Sequence, residues 1–177
     1  MCQKHQVRLA DWLTPDRINI DIDARDKRDL LAKLAAQASA NVEIDHDHVV
    51  KRLQARERLG STAIGRGIAI PHAVDLTGVA IPHLQTNGLS GPYLSLSRLN
   101  KPIDFDATDG CPVDIVFLML VPERERMSAL PILSAAARVL RSGHFLEIFR
   151  NASSPQQAYA ALVDEELFPQ SGAGQMG

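Results

Sequence analysis

The chain has 177 residues, 45% of them hydrophobic and 23% charged, with a formal net charge of −2. Those proportions suit one folded domain with length enough to bury a core. There is no basic excess to neutralise a phosphate backbone, which excludes a generic nucleic-acid binder.

The first regular element expected is a strand in which Ile18, Ile20 and Ile22 alternate with Asn19, Asp21 and Asp23. An amphipathic helix follows over residues 26–39. Asp26 is its N-cap, and Leu30, Leu31, Leu34, Ala35 and Ala38 lie on one stripe. A second helix is expected from about Asp47 to Glu57, burying Val49, Val50 and Leu53. Its basic run, KRLQARER (51–58), reads as a solvated face, as do Arg124, Arg126, Arg138 and Arg141.

The period then shortens. Strands are expected at Ser61–Ile64, Gly67–Ile70, Val79–Ile81, Tyr93–Leu99 and Val113–Val121, with a tight turn at Gly65-Arg66-Gly67. Leu94 and Leu96 alternate with Ser95 and Ser97, which reads as a strand with one wet face. IVFLMLV (115–121), apolar on both faces, reads as an interior strand covered by helices on both sides. It is far too short to span a bilayer, and no membrane insertion is expected.

The last third reads as helical. A helix over Ser128–Arg141 carries the stripe Leu130, Leu133, Ala137 and Leu140, and Pro131 forces its regular part to begin near Ala129. A short helix around His144–Arg150 and a final one opened by Ser154-Pro155 and running to about Leu167 complete the series. The expected fold is α/β: a single domain with a mixed β-sheet. Residues 169–177 read as a disordered tail.

Cys2 and Cys111 are far apart, with no CxxC spacing and no ligand cluster, so neither metal nor cofactor is expected. Two cysteines and an N-terminus without the apolar stretch of a signal peptide point to a reduced, cytoplasmic setting. His46 and His48 read as a solvated helix entry. Asp104, Asp106 and Asp109 lack the calcium-loop pattern and read as loop structure.

The segment from Leu59 to His83 holds the chemistry. Ile-Pro-His occurs twice in it, ending at His72 and His83, and GIAIPHAVDLT (67–77) and GVAIPHLQTNG (78–88) look like a tandem duplication. An imidazole is nucleophilic near neutral pH, and small turn residues can present backbone N–H groups to phosphate oxygens, so this pattern suits reversible phosphoryl transfer.

ARERLGSTAIGRGIAIPHA (55–73) and KPIDFDATDGCPVDIVFLMLVPE (101–123) resemble the type-II IIA domains of the bacterial phosphotransferase system, and most closely their nitrogen-regulatory branch. The resemblance covers residues 8–166, leaves 1–7 as an N-terminal extension, and implies a mixed β-sheet flanked by helices and a histidine phosphocarrier that accepts a phosphoryl group from an HPr-like carrier protein. It also implies a regulatory rather than sugar-uptake role, with protein targets such as a kinase or transporter, and leaves room for a homodimer. The upstream RERLGST and the small Ala73 match His72 to the family's acceptor, whereas the distance to Pro102-Ile103 matches His83. Both stay open, with His72 preferred. Arg56 matches the family's arginine beside the histidine, and a guanidinium fork suits phosphate. Ser61 and Thr62 match its turn and are candidate phosphate binders. Most members carry a second histidine where ungapped alignment places Ala129 here. The other Ile-Pro-His copy is the candidate replacement. The competing reading is a regulatory binding module of the same fold that has lost phosphotransfer.

Overall fold

The computed structural model describes residues 7–74 and 89–169. The expected strand Val79–Ile81, His83, and residues 170–177 of the expected tail lie outside them.

Six strands of the described residues form one mixed sheet: β1 (Ile18–Ile22), β2 (Ala63–Gly65), β3 (Ile68–Ala69), β4 (His72–Val74), β5 (Tyr93–Ile103) and β6 (Val113–Val121). β1 runs parallel to β5, and β5 antiparallel to β6. On its other side β6 is joined by both β3 and β4, each parallel to it, and β2 pairs antiparallel outside β3. Among the described residues five α-helices pack against the sheet: α1 (Lys27–Asn41), α2 (His46–Arg58), α3 (Ala129–Val139), α4 (Gly143–Asn151) and α5 (Pro155–Leu167).

β6 is the interior strand that its apolar run announces, and all its residues but Asp114 are buried. Successive side chains leave a strand on opposite faces, so one run supplies two cores. Ile115, Phe117, Met119 and Val121 join the core built by α3, α4 and α5, with Phe145 and Phe149 at its centre. Val116, Leu118 and Leu120 join the core under α1 and α2.

The caps form as the residue types require. Asp26 and Ser154 accept the backbone N–H of Asp29 and Gln157, each three residues on, and Pro155 occupies the first turn of α5. All five stripe residues of α1 are buried. α2 starts slightly earlier than expected, with Asp45 as its cap, and buries Val49 and Leu53 while Val50 is only half-buried.

Two expectations are corrected. Ser95 and Ser97 do not form a wet face, because β5 lies between β1 and β6 and α1–α2 covers that side; both are 0% exposed. The stripe of α3 is rotated. Leu140 is buried as expected and Leu133 packs against the core, but Ile132, Ala135, Ala136 and Val139 carry most of the buried side, and Leu130 is 75% exposed. ALPILSAAARVL is apolar nearly all round, so spacing alone admits more than one buried face. The regular helix does start at Ala129, after an irregular turn over Glu123–Ser128.

The Gly65-Arg66-Gly67 turn has three consecutive positive φ values, 89°, 58° and 79°. At Gly67 a Cβ would lie 2.7 Å from an Asp114 oxygen, so only glycine fits there. This turn reverses β2 into β3 and delivers the chain to Pro71.

Candidate functional site: an imidazole held between a strand carbonyl and an arginine

Pro71 stands at the break between β3 and β4. Lacking an N–H, it cannot donate to a sheet ladder, but its carbonyl accepts from Met119 and keeps the chain on β6. Residue 72 therefore opens β4 in register with Met119. Its ring is half-buried.

Nδ1 of His72 lies 2.8 Å from the carbonyl oxygen of Ile70. A carbonyl can only accept, so Nδ1 carries the proton and Nε2 the free lone pair. Nε2 in turn receives the Nε–H of Arg56 at 3.0 Å. Both contacts require the same tautomer. Burial lowers the pKa of His72; the Ile70 contact opposes that, the positive charge of Arg56 adds to it, and Glu57 opposes it. The ring is thus held neutral, with a nucleophilic nitrogen aimed at the guanidinium.

Arg56 comes from the last turn of α2, and its Nη1 donates to Gly60 O at 3.0 Å. One turn earlier, Arg52 donates to Val74 O at 2.7 Å. The basic run 51–58 is therefore not simply a solvated face: two of its arginines reach across to β4, because residues four apart share one side of a helix.

The Ser61–Thr62 turn sits beside this pair in the chain, but its hydroxyls point inward. Ser61 donates to Phe105 O. Thr62, 5% exposed, gives its hydroxyl to a Glu57 oxygen at 2.6 Å and its backbone N–H to the same carboxylate at 3.1 Å. Either hydroxyl must exchange its partner before it can bind a phosphate. Glu57 is the residue that sequence reasoning passed over. It lies inside the RERLGST motif, yet in a charged helical run it reads as surface. Its side chain is 7% exposed and also meets Lys27 Nζ at 3.3 Å.

Ala129 is 8% exposed and packs into the α3–α5 core. A methyl group can neither donate to nor accept from an imidazole or a phosphate. Among the described residues no group of three or more His, Cys, Asp or Glu side chains could hold a metal ion. The acidic loop is indeed occupied with its own structure. Asp104 accepts from the Asp106 N–H, Asp106 pairs with Lys27, and Asp109 accepts the Arg66 and Cys111 N–H groups. Among the described residues no helix is long and apolar enough to cross a membrane.

Comparison with known proteins gives a consistent answer. The family described as phosphoenolpyruvate-dependent sugar phosphotransferase system, EIIA 2, matches residues 11–77 and 73–165. The two segments overlap at residues 73–77, between the Ile-Pro-His copies. A nitrogen regulatory protein of Pseudomonas aeruginosa is 33% identical over 159 residues, covering 89% of this chain and 96% of that protein. One from Bradyrhizobium diazoefficiens is 34% identical over 155 residues, covering 88% and 94%. Among solved structures, the nitrogen regulatory protein IIA-Ntr of Neisseria meningitidis superimposes with a TM-score of 0.75 at 29% identity, covering 87% of this chain and 98% of that one. The mannitol IIA of Escherichia coli shares the fold at a TM-score of 0.65 and 14% identity. The sequence motif, the mixed sheet and these likenesses agree: the chain belongs to the EIIA type-2 family of the phosphoenolpyruvate-dependent sugar phosphotransferase system.

Proposed function

We propose that the protein is a phosphohistidine carrier with a nitrogen-regulatory role, and that His72 is its acceptor. One observation carries this reading. The neutral ring holds its proton on Nδ1 against Ile70 O and leaves the Nε2 lone pair facing Arg56. In the transfer, Nε2 attacks the phosphorus of an HPr-like carrier's phosphohistidine as the donor's N–P bond breaks. The bonding pair returns to the donor imidazole. His72 keeps its Nδ1 proton, and the positive charge that develops on the ring is stabilised by Ile70 O. Arg56 is the charge partner for the arriving phosphoryl group, whose oxygens need donors. The regulatory role follows the relatives named nitrogen regulatory proteins. A kinase or transporter is the kind of target such a role requires, and the cytoplasm is where the donor carrier would be met.

His83 is the proposed supporting imidazole in place of the one that Ala129 lacks. Incubation with the general phosphotransferase proteins and labelled phosphoenolpyruvate tests both assignments. Labelling should vanish in His72→Ala and weaken in His83→Ala. Loss only in His83→Ala reverses the assignment. A wild type that never labels favours the second reading, a binding module of the same fold, for which Ala129 is the specific observation.

A further inference from the structure

The contacts that fix the imidazole do not end at Ile70. The Ile70 N–H donates to Thr62 O at 2.9 Å. Thr62 gives its own N–H and hydroxyl to the Glu57 carboxylate. Glu57 is held from α1 by Lys27, whose ammonium also contacts Phe105 O and Asp106. Phe105 O is the same carbonyl that accepts the Ser61 hydroxyl. A buried carboxylate persists only when it is paired and hydrogen-bonded, and this one has both kinds of partner. It lies one residue after Arg56, so the last turn of α2 reaches the ring by two routes. Arg56 contacts Nε2 directly, and Glu57 reaches Nδ1 through Thr62 and Ile70.

We propose that Glu57, anchored by Lys27, is the positioning residue for His72: through Thr62 it sets the Ile70 carbonyl that holds the proton on Nδ1 and leaves Nε2 as the nucleophile. Glu57 touches neither the ring nor the phosphoryl group in this scheme. The inference rests on the reading of His72 as the acceptor, but its structural half can be tested without phosphotransfer.

The experiment records imidazole ¹⁵N shifts of His72 in the unphosphorylated full chain, together with the labelling rate and Tm, for wild type, Glu57→Ala and Thr62→Val. Wild type should show the Nδ1–H tautomer. Glu57→Ala should mix the tautomers and slow labelling by roughly tenfold to a hundredfold, as a loosened reacting group does. Thr62→Val, nearly isosteric, should shift the tautomer in the same direction by less. A lower Tm with the wild-type tautomer kept in both variants overturns the proposal, because Glu57 would then be merely structural. If Glu57→Ala does not fold, Thr62→Val decides on the same signal: a mixed tautomer supports the proposal and an unchanged one overturns it. If wild type never accepts label, the carrier reading fails, while the tautomer still decides the role of Glu57.

Discussion

The two faces of the sheet are built from different materials. Under α3, α4 and α5 the core is almost wholly apolar, with Phe117, Phe145 and Phe149 all at most 1% exposed and two of them stacked at 5.8 Å. Under α1 and α2 the same sheet buries Ser95, Ser97 and Thr62 among its leucines, and the edge of that layer carries the Lys27–Glu57–Thr62 contacts and Arg56. The apolar face tolerates no loss of volume but asks little of orientation. The polar face gains less from burial, and instead fixes directions: which way a carbonyl points, and which nitrogen holds a proton. Most of the packing and most of the directing contacts thus lie on opposite faces, while His72, in register with Met119 and two residues from Val74, opens β4 on the apolar side and meets Arg56 at the sheet edge.

Substitutions on each face can break this division. The largest effect expected is on transfer: His72→Ala should abolish labelling while leaving Tm near that of wild type. Next, Phe149→Ala should cost about 3–5 kcal/mol of stability in urea unfolding, yet label normally at temperatures where it stays folded. A Phe149→Ala variant that folds and fails to label would show that the faces are coupled. Arg56→Ala should slow labelling by about tenfold, equivalent to about 1.4 kcal/mol, with little change in Tm. A normal rate would remove Arg56 from the site.

A pH dependence sharpens the comparison further. Burial holds the pKa of folded His72 below its unfolded value. The unfolded chain therefore binds the proton more readily, and stability falls as the pH drops below the ordinary imidazole range of about 6.5 and on through the folded pKa. Above that range the contribution is complete. Tm should fall less between about pH 7.5 and 5.5 in His72→Asn than in wild type. Equal slopes would mean that another group governs this range. The smallest effect belongs to Ser97, whose buried hydroxyl has no protein partner among the described residues. Ser97→Ala should change stability by less than about 1 kcal/mol, because the methyl group leaves nothing unsatisfied. A larger loss would make the buried serine a structural part of the polar layer.

Features with local causes were legible in the sequence. The apolar run of β6 needs no partner to announce itself, and Asp26 and Ser154 cap helices through contacts three residues away. The meeting of Arg56 with His72 was legible through the motif that contains both. What escaped depends on distant packing. Ser95 and Ser97 look wet until α1–α2 is laid over them. α3 carries too many apolar residues for its buried side to be chosen in isolation. Glu57 looks like one more charge on a charged helix until Lys27, 30 residues earlier, turns to meet it. Ser61 and Thr62 are candidates through their match to the family's turn, and what the sequence does not show is that their hydroxyls already engage Phe105 O and the Glu57 carboxylate.

The Arg56 contact has one more consequence. In the resting protein the lone pair that would attack phosphorus is already occupied, since Nε2 accepts the guanidinium hydrogen. One lone pair cannot hold that hydrogen and form an N–P bond together. With His72 as the proposed acceptor, Arg56 must leave the nitrogen as the phosphoryl group arrives, and the incoming oxygens offer it new acceptors. The arginine thus works as a stopper that its own substrate withdraws. A reagent without anionic oxygens offers Arg56 no such acceptor, so against the wrong kind of group the nitrogen stays masked for more of the time.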